Sequence, residues 1–387
     1  MKILMLLETN FPPDIRVEHE IETLVKNGHE LSIACYDQKG AAHVDNWKGA
    51  TIFRKPISDF RHKTSVGCLK FPFYFNFWRS FVFKLFKQYN FDAIHIHDLP
   101  LAQIGVECKR KFGAKFVLDL HENWPALLEI STHVQSILGK ILSSTSQWKK
   151  YEQEMVKTAD EVIVVIDENK SRLERLTDRK SGITVVSNTP TKSDIELFSE
   201  NSTQENDELI LFYGGGVTEH RGLQAIIEGI SKIHELPIKF WVVGDGSYLP
   251  SLKKLASVLK VEDKVKFWGW KSLSEMTNLM LKATVLVIPH KKTNHTETTI
   301  PHKLFQYMVT EKPILATNCT PIERIINETT SGFIFKHNSI HSLIEELRRI
   351  HSLWKNNKNI TVNGRAFVLE KYNWEIDEKK LLNIYKN

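Results

Sequence analysis

Short runs of β-branched and aromatic residues alternate with stretches of helical length along almost the whole chain. In the first half these apolar runs cover residues 2–7, 30–35, 93–97, 115–120, 161–166 and 183–186. In the second half they cover residues 209–213, 239–243, 264–267, 284–288, 313–316 and 332–335. Strands separated by helix-length segments are typical of βαβ units, in which the strands form a parallel sheet. The pattern therefore predicts an α/β protein.

A polar stretch, residues 189–208, separates the two series of strands and predicts a linker. A chain of 387 residues is also too long for one ordinary hydrophobic core, which favours two domains. We therefore expect an N-terminal domain at residues 1–188 and a C-terminal domain at residues 209–365. The last segment, residues 366–387, has the pattern of an amphipathic helix.

The composition, with 42% hydrophobic and 25% charged residues, is that of a soluble globular protein. No apolar run is long enough to cross a bilayer. The four cysteines, Cys35, Cys68, Cys108 and Cys319, are scattered without the spacing of metal ligands. We therefore expect reduced thiols in a cytoplasmic protein.

Basic and aromatic side chains are concentrated in residues 53–91, where Asp59 is the only acidic residue. Basic residues among aromatic ones suit an anionic membrane surface, which predicts contact of residues 70–91 with the inner face of a membrane. The same pattern is equally typical of a helix that buries its aromatic face and exposes its lysines. Both interpretations stay open. Nucleic-acid binding is the least supported, because the basic residues are confined to one short region.

Residues 299–317 combine a loop of small hydroxyl residues, a short helix that begins at Pro301, and a buried strand. Proline is pre-set for the first turn of a helix. Backbone N–H groups at a helix N-terminus, here those of Thr299 and Ile300, lack partners within the helix and suit a phosphate group. Taken alone, this segment could equally be an ordinary loop and helix of an α/β domain.

Three further blocks precede this segment in the second half of the chain. Residues 213–222 form a glycine-rich turn that ends in Arg-Gly, and residues 242–246 and 265–269 follow. The four blocks, in this order, resemble the C-terminal half of the retaining glycosyltransferases of family 4 (group 1). That family commonly carries the last block as P-x-K-x-x-E-Y-M-x-x-G-K-P. The resemblance extends over almost the whole chain.

The resemblance implies the GT-B architecture, in which two doubly wound Rossmann-like domains face each other across a cleft. It also implies that the C-terminal helix packs back on the first domain. The implied reaction transfers a hexosyl group, with retention of configuration, from a UDP- or GDP-sugar to a hydroxyl of a glycan or lipid-linked acceptor. Such reactions belong to polysaccharide biosynthesis.

Sugar transfer leaves negative charge on a departing diphosphate, which the site must stabilise with cations or oriented N–H groups. No Asp-x-Asp motif in a suitable metal-site context stands out in the sequence. We therefore expect no metal and no cofactor beyond the nucleotide-sugar co-substrate. Arg221 can hold two phosphate oxygens at once, and Lys303 supplies a second cation.

The resemblance places Gly215, Gly216 and Gly244 at the donor, but the glycine-rich turn departs from the family pattern. That turn usually reads Gly-Arg, followed after several residues by Lys-Gly. Here Gly216 stands at the arginine position and Arg221 at the lysine position.

A second departure concerns the family's two glutamates, which lie eight positions apart. The second one, which binds the ribose hydroxyls, corresponds here to Gln306, and the first corresponds to Thr298. A glutamine can still hydrogen-bond a diol, without charge assistance. Glu297, one position out of register, could reach the donor sugar through a bulge in the loop. We therefore expect Thr298, Thr299, Ile300 and Gln306 to bind the donor and Glu297 to take a catalytic part.

In the first domain, His121 ends an apolar run and resembles the family's active-site histidine, which implies a catalytic role beside Arg221. Histidines at strand ends are more often structural than catalytic. Asp98 also ends a strand and is a candidate for acceptor binding. Asp14 and Arg16 follow the first strand, and we expect them to face the cleft entrance, with an acceptor role.

Two other functions remain open at this point. A nucleotide-sugar epimerase can share the GT-B architecture, although the 299–317 block argues against it. Alternatively, Gly216 and Gln306 could mark a catalytically impaired homologue that binds a nucleotide without transfer.

Overall fold

A computed structural model describes residues 1–38, 40–131, 142–198, 208–357, 360 and 362–386. The chain forms two compact units. The first comprises Met1–Asn188 together with Trp374–Asn387, and the second comprises Thr189–Asn373. None of the described helices is long and apolar enough to span a bilayer.

The first unit contains an eight-stranded sheet with the order β3-β4-β2-β1-β5-β6-β7-β8. Its strands are β1 Lys2–Leu7, β2 Glu30–Asp37, β3 Val44–Trp47, β4 Ala50–Pro56, β5 Ala93–His97, β6 Lys115–Leu120, β7 Glu161–Val164 and β8 Ile183–Val185. All neighbours are parallel except β3 and β4. The predicted parallel arrangement is therefore present in this unit.

The described helices of the first unit cover both faces of this sheet with apolar side chains. They are α1 Ile15–Lys26, α2 Asp59–Lys63, α3 Phe73–Tyr89, α4 Ala102–Phe112, α5 Trp124–Ile130, α6 Thr145–Thr158, α7 Asp167–Thr177 and, from the chain end, α16 Trp374–Ile384. Short 3₁₀ turns occur at Thr64–Gly67 and Leu99–Leu101. From β1 the chain adds β2 on one side of the sheet and later β5 on the other side. This change of direction creates a topological switch point, a crevice at the carboxyl ends of β1 and β5.

The hairpin of β3 and β4 has no counterpart in the sequence prediction. β4 carries charged residues within an otherwise apolar strand, and these obscured the alternation. One of them, Arg54, is buried because its guanidinium donates to the carbonyl oxygens of Phe11 and Ala42 and pairs with Asp45. A strand that buries a hydrogen-bonded arginine does not show a continuous or alternating apolar pattern in the sequence.

Helix α3 buries most of its aromatic residues in the core of the first unit. Tyr74 and Trp78 have no exposed surface, and the buried set also includes Phe75, Phe77, Val82, Leu85 and Phe86. Of the aromatic residues between 70 and 91, Phe71 and Phe73 at the N-terminal end of α3 are the exposed large ones. The buried-helix interpretation is therefore correct for α3 itself.

The C-terminal helix α16 packs against α1 and belongs to the first unit. The indole N–H of Trp374 donates to the hydroxyl of Thr23 on α1, at 2.8 Å. Tyr385, just after α16, contacts Nδ1 of His95 through its hydroxyl at 2.7 Å. The preceding residues, 366–373, belong to the second unit. The second unit therefore ends at residue 373, and not at residue 365 as expected.

The second unit contains a six-stranded, wholly parallel sheet with the order β11-β10-β9-β12-β13-β14. Its strands are β9 Leu209–Gly214, β10 Ile238–Val243, β11 Val265–Gly269, β12 Val285–Ile288, β13 Ile314–Thr317 and β14 Gly332–Phe335. The order of strands reverses between β9 and β12, which gives this unit a switch point of its own.

The described helices of the second unit surround this sheet and its apolar core. They are α8 Lys192–Leu197, α9 Leu223–Ile230, α10 Leu249–Val258, α11 Leu273–Lys282, α12 His302–Val309, α13 Thr320–Thr329, α14 Ile340–Asn357 and α15 Gly364–Glu370. Helix α8 lies inside the stretch that we predicted as a linker, and it contacts α12. Its start carries a capping box formed by Thr191 and Asp194, a signal that the polar composition of the stretch concealed.

Candidate active site

Three polar residues follow three adjacent parallel strands of the first unit and meet at one cavity. Glu8 follows β1, Asp98 follows β5 and His121 follows β6. These strands are neighbours in the sheet, so their carboxyl ends lie side by side at the switch point. The cavity there has a volume of about 390 Å³. Ligands of open α/β sheets bind at such positions.

The walls of this cavity are largely apolar and aromatic, with polar groups at the strand ends. Apolar contacts come from Leu7, Val66, Pro100, Leu128 and the indoles of Trp124 and Trp148. Polar lining comes from Glu8, Thr9, Asp14, His62, Ser65, His97, Asp98, His121, Ser131 and Ser143. Apolar walls with a few convergent polar groups are typical of ligand sites.

His121 is held by contacts on both its ring and its backbone. Its Nε2 lies 3.0 Å from Oδ2 of Asp119 and 3.1 Å from Nδ1 of His97. Its backbone N–H donates to Oδ1 of Asp98 at 3.2 Å. Although burial disfavours the charged ring, the carboxylates of Asp119 and Asp98 raise the pKa of His121 to about 9. The ring is therefore an imidazolium at neutral pH.

Arg16 does not line this cavity, which corrects the expectation that it faces a cleft entrance. It is 3% exposed, and its guanidinium donates to both carboxylate oxygens of Asp119. Arg16 lies on α1, whose inner face points at the sheet, so the side chain extends into the core and not outward. Burial raises the pKa of Asp119, but Arg16 and His121 outweigh it and hold that pKa well below its usual range.

Asp14 does line the cavity, at the start of α1. Its carboxylate accepts the backbone N–H of Val17 at 3.2 Å and so caps the helix. The position of Asp14 is therefore compatible with a role in acceptor binding. Its carboxylate also has a structural role, because it caps α1.

Four buried side chains, Asp119 among them, could offer ligand atoms to a metal ion. Glu20, His95, His97 and Asp119 each place one such atom within 4.8 Å of the others. However, the Arg16 guanidinium contacts both carboxylates, at 3.0 Å from Asp119 and 3.2 Å from Glu20. Because the Arg16 guanidinium already pairs with Asp119 and lies against the carboxyl group of Glu20, a divalent metal would have to displace Arg16.

Glu8 is a site residue that the sequence analysis missed. Its Oε1 accepts a hydrogen bond from the Tyr74 hydroxyl at 2.7 Å. Burial raises the pKa of Glu8 to about 7. Burial likewise raises the pKa of Asp98 to about 6. The signal was present in the sequence, because Glu8 directly follows an apolar strand, as Asp98 and His121 do.

Asp98 also has an unusual backbone conformation. Its φ of 66° lies in the left-handed region, and its backbone N–H donates to the carbonyl oxygen of Asp119 at 2.8 Å. Together with its ψ of 159°, this φ falls in a region that is essentially confined to glycine, and such strained residues cluster at functional sites.

In the second unit, the glycine-rich turn and the loop after β10 approach each other closely. Gly215 and Gly244 have φ values of 129° and 136°. A Cβ atom at Gly244 would lie 2.0 Å from the carbonyl oxygen of Gly215, which no residue with a side chain can accommodate. By contrast, a Cβ atom at Gly216 would meet nothing within 4 Å. Gly244 is therefore required by backbone packing, and Gly216 is not.

Lys303 of α12 extends to this turn. Its Nζ donates to the carbonyl oxygen of Gly214 at 2.7 Å and lies 3.9 Å from the ring centroid of Tyr213. The Tyr213 hydroxyl donates in turn to the carbonyl oxygen of Gly216 at 2.7 Å. Burial, followed by the nearby positive charge of Arg221, lowers the pKa of Lys303 well below its usual range.

Arg221 lies at the end of a 3₁₀ turn, Glu219–Arg221, close to the end of β12. Its Nη1 lies 3.2 Å from Nε2 of His290, a buried histidine that the sequence analysis did not single out. Burial, together with Arg221 and Lys303, lowers the pKa of His290 well below its usual range. His290 is therefore neutral and accepts a hydrogen bond from Arg221.

Glu297 has an unexpected set of partners. Its carboxylate accepts the backbone N–H of Thr320 at 2.9 Å and the Thr320 hydroxyl at 2.6 Å, at the start of α13. The carboxylate also lies 3.6 Å from Nζ of Lys292. The structure therefore places Glu297 at a helix N-terminus, where a negative charge is favoured.

The other residues predicted at the donor lie on the loop before α12 and on α12 itself. The Thr298 hydroxyl donates to the carbonyl oxygen of Asn294 at 2.9 Å, within its own loop. Ile300 is buried and Thr299 is half-buried. Pro301 is the N-cap of α12, which begins one residue later than predicted. Gln306 is a half-buried residue of α12.

Comparisons with known proteins assign both units to glycosyltransferase families. Residues 194–367 match the profile described as "Glycosyl transferases group 1", and residues 15–189 match that of "Glycosyltransferase Family 4". The chain is 22% identical over 368 residues to alpha-monoglucosyldiacylglycerol synthase of Streptococcus pneumoniae, which covers 90% of this chain and 78% of that protein.

Solved structures show the same fold. Sucrose-phosphate synthase of Thermosynechococcus elongatus matches with a TM-score of 0.77 at 14% identity, over 99% of this chain and 98% of that one. HepE of Anabaena, solved in complex with UDP, matches with a TM-score of 0.71 at 13% identity, over 100% and 99% of the two chains. The chain is a group 1 (family 4) glycosyltransferase with the GT-B fold.

Proposed function

We propose that this glycosyltransferase moves a hexosyl group from a nucleotide sugar to a hydroxyl of a glycan or lipid-linked acceptor, with retention and without a metal. The observation that carries the proposal is the cationic site of the second unit. There, Arg221 and Lys303 lie near the glycine-rich turn, next to the neutral His290. Arg221, together with Lys303 once a bound nucleotide has restored its proton, can stabilise the charge that develops on a departing diphosphate.

The donor would bind at the switch point of the second unit. Arg221 can give up its contact with His290 for two phosphate oxygens, and the amides of Thr299 and Ile300 precede the N-terminus of α12. Gly215, Gly216 and Gly244 would let the backbone approach the diphosphate, while Gln306 would bind the ribose. The UDP complex of HepE supports a UDP-sugar as the first donor to test.

The acceptor would bind in the cavity of the first unit. Glu8 and Asp98 can accept hydrogen bonds from sugar hydroxyls, and Asp14 lies on the same wall. The indoles of Trp124 and Trp148 offer flat apolar surfaces to a sugar ring or an acyl group. A cavity with both kinds of wall fits an amphipathic acceptor.

Retention would follow from transfer on one face of the sugar. In this step the bond from the anomeric carbon to the phosphate oxygen breaks, and the bond to the acceptor oxygen forms on the same face. The acceptor's hydroxyl proton passes to the departing phosphate oxygen, so charge and atoms balance without a protein base. His121, as an imidazolium, would donate a hydrogen bond at the sugar.

A lipid-linked acceptor implies work at the cytoplasmic face of a membrane. Phe60, Phe71 and Phe73 are 81%, 48% and 61% exposed, and the adjoining Arg61, Lys63 and Lys70 are exposed cations. The name of the Streptococcus pneumoniae relative, a diacylglycerol glycoside synthase, also supports a lipid acceptor. We propose that residues 58–73 contact an anionic bilayer, in place of the wider span 70–91.

Thermal stabilisation by UDP, GDP, ADP and their sugars tests the donor, with wild type compared to Arg221→Ala. Stabilisation of the wild type by one series, lost in the variant, supports the cationic site as the donor site. Incubation with donor alone, followed by NMR of the sugar, separates transfer from epimerisation. Nucleotide binding without transfer to any acceptor would favour the impaired homologue instead.

Product stereochemistry tests retention directly. With an α-linked UDP-sugar and a soluble glycoside acceptor, the anomeric coupling constant of the product reports an α linkage if the reaction retains configuration. A β-linked product would contradict the one-face mechanism. Activity that survives prolonged chelation supports the metal-independent reaction, and activity restored only by a divalent cation contradicts it.

A further inference from the structure

A chain of buried polar contacts leads from α1 to the active-site histidine. Arg16 on α1 contacts Asp119 on β6 through Nε and Nη2, with three N–O distances between 3.0 and 3.1 Å. The Oδ2 of Asp119 lies 3.0 Å from Nε2 of His121. Asp119 is fully buried, so these partners, and not water, satisfy its carboxylate.

Arg16 is itself fixed from several sides. Its Nη1 donates to the carbonyl oxygen of Val186 at 2.9 Å and to Oδ1 of Asn188 at 3.1 Å. Its Nε lies 3.2 Å from Oε1 of Glu20. A guanidinium with so many partners cannot rotate without breaking buried hydrogen bonds, so it holds the Asp119 carboxylate in one orientation.

This arrangement determines how His121 is presented. With Nε2 directed at Asp119, the Nδ1 of the ring lies 3.7 Å from Oδ2 of Asp98, beyond hydrogen-bonding distance. The Nδ1–H is therefore available to donate a hydrogen bond to a bound molecule. Asp98 fixes the backbone of His121, because its Oδ1 accepts the His121 backbone N–H.

We propose that Asp119 and Arg16 are positioning residues that hold the His121 ring in one orientation, so that its Nδ1 is a fixed contact for a substrate bound in the cavity. Neither residue is among the described residues that line the cavity, so both act through His121. The inference rests on the proposed function only in treating His121 as an active-site residue.

The neighbouring groups agree with a donating His121. Burial, followed by the neighbouring rings of His95 and His121, lowers the pKa of His97 well below its usual range, so His97 is neutral. Burial and the proximity of Asp119 raise the pKa of Glu20 well above its usual range, so Glu20 carries its proton. The net charge of the buried cluster therefore resides on Arg16, Asp119 and His121.

NMR of the protein with ¹⁵N-labelled histidine gives a test that does not depend on turnover. His121→Gln assigns the His121 resonances in the wild type. We expect the wild-type ring to titrate near pH 9 and the ring in Asp119→Asn to titrate about two pH units lower. In the same variant kcat should fall about 10- to 100-fold, with a smaller change in the donor KM.

Two further variants protect the test against misfolding. Asp119→Asn leaves Arg16 buried without its carboxylate, so the double variant Arg16→Met/Asp119→Leu removes both charges together. It should fold, lose the raised His121 pKa and show the same loss in kcat. Tyr385→Phe is the matched control, because it removes the 2.7 Å contact with His95 but leaves Asp119 and His121 in contact. It should keep the wild-type His121 titration and kcat.

The titration arm decides the proposal even if no acceptor is found. An unchanged His121 titration in both the Asp119→Asn and the double variant would overturn the positioning role. So would a stoichiometric metal that co-purifies with the protein and shifts the resonances of His95 and His97 on chelation, because the cluster would then be a metal site. A lowered His121 pKa with unchanged kcat would overturn its effect on the reaction. Failure of every donor to bind, by contrast, would contradict the proposed function alone.

Discussion

The ammonium nitrogen of Lys303 lies 2.7 Å from the carbonyl oxygen of Gly214, the last residue of β9. This contact joins α12 to the glycine-rich turn, two segments that are almost 90 residues apart in the chain. A second contact joins the same elements, because the backbone N–H of Gly214 donates to the hydroxyl of Tyr307 at 3.0 Å. The two segments most similar to the family's donor-binding blocks are therefore one structural unit.

Nucleotide binding should raise the pKa of Lys303 and so take up a proton at any pH between the pKa of the free protein and that of the complex. Burial and Arg221 lower the pKa of Lys303 in the free protein, whereas a diphosphate at the turn would raise it again by favouring the ammonium. Calorimetry of UDP binding in buffers of different ionisation enthalpy measures this uptake. Lys303→Met should abolish the uptake and weaken UDP at least about tenfold, since a hydrogen bond to a charged group contributes about 1.5–3 kcal/mol. Lys312→Met is the control and should change neither quantity.

Gly244→Ala should cost more stability than Gly216→Ala. At Gly244 the added methyl would lie 2.0 Å from a backbone oxygen at a φ of 136°, whereas at Gly216 it would meet nothing within 4 Å. Strained backbone of this kind costs about 1–3 kcal/mol. Urea unfolding of both variants measures the difference. Equal effects would contradict the close packing of the loops after β9 and β10.

Several parts of the fold were predictable because they depend on local pattern. Strands β5 and β6 were expected at residues 93–97 and 115–120, and the structure has them at those bounds. A helix was expected to begin at Pro301, and α12 begins one residue later, at His302, with Pro301 as its N-cap. Buried parallel strands are continuous apolar runs, which makes them easy to recognise from one sequence.

Long-range partners could not be predicted from pattern alone. Arg16 was expected to face the cleft entrance, but its carboxylate partner Asp119 lies 103 residues away in the sequence. Glu297 was expected at the donor, but its partner Thr320 lies 23 residues further along the chain. Glu8 and His290 were missed because each is a single polar residue after a strand, and its neighbours become visible only when the strands are assembled.

Glu297→Gln should affect stability more than catalysis. The carboxylate accepts two hydrogen bonds from Thr320 at the N-terminus of α13, and the loss of such a cap costs about 0.5–2 kcal/mol. Thermal unfolding and steady-state kinetics of the variant separate the two roles. A large fall in kcat with an unchanged melting temperature would instead support the sugar contact that the family resemblance implies. Thr320→Val, which removes only the hydroxyl partner, should reproduce part of the stability loss.

The stability of the protein should fall between about pH 4.5 and pH 7 through Glu8. The pKa of Glu8 is raised from 4.5 to about 7 in the folded protein, so over this range the folded state holds a proton that the unfolded state has lost. The free energy of unfolding therefore decreases as the pH rises through the window. Glu8→Gln should make this slope shallower, leaving the part that Asp98 contributes through its own raised pKa, and should raise the melting temperature at pH 8 relative to wild type. Glu370→Gln is the control, because Glu370 is exposed, and it should leave the pH dependence of the unfolding free energy unchanged. If Glu8→Gln showed the same pH dependence as the wild type, Glu8 would not be its origin.

Residues 58–73 should bind anionic vesicles through Phe60, Phe71 and Phe73. These rings are exposed and stand beside Arg61, Lys63 and Lys70, so the segment combines apolar area with positive charge. Sedimentation with vesicles that contain phosphatidylglycerol should pull down the wild type, and binding should weaken as salt rises. The triple variant with serine at the three phenylalanine positions should lose most of this binding. It should retain transfer to a soluble acceptor, because none of the three rings lines the described cavity walls.

The double variant Val258→Ser/Leu369→Ser controls for exposed apolar surface as such. Both residues are exposed, but they lie in the second unit, outside residues 58–73. It should therefore sediment with vesicles as the wild type does. If the phenylalanine variant bound vesicles as well as the wild type, residues 58–73 would not be the contact. If the wild type bound neutral vesicles but not anionic ones, the basic residues would have no part in membrane binding. Binding that requires both the rings and anionic lipid would place residues 58–73 at the bilayer, where a lipid-linked acceptor would be found.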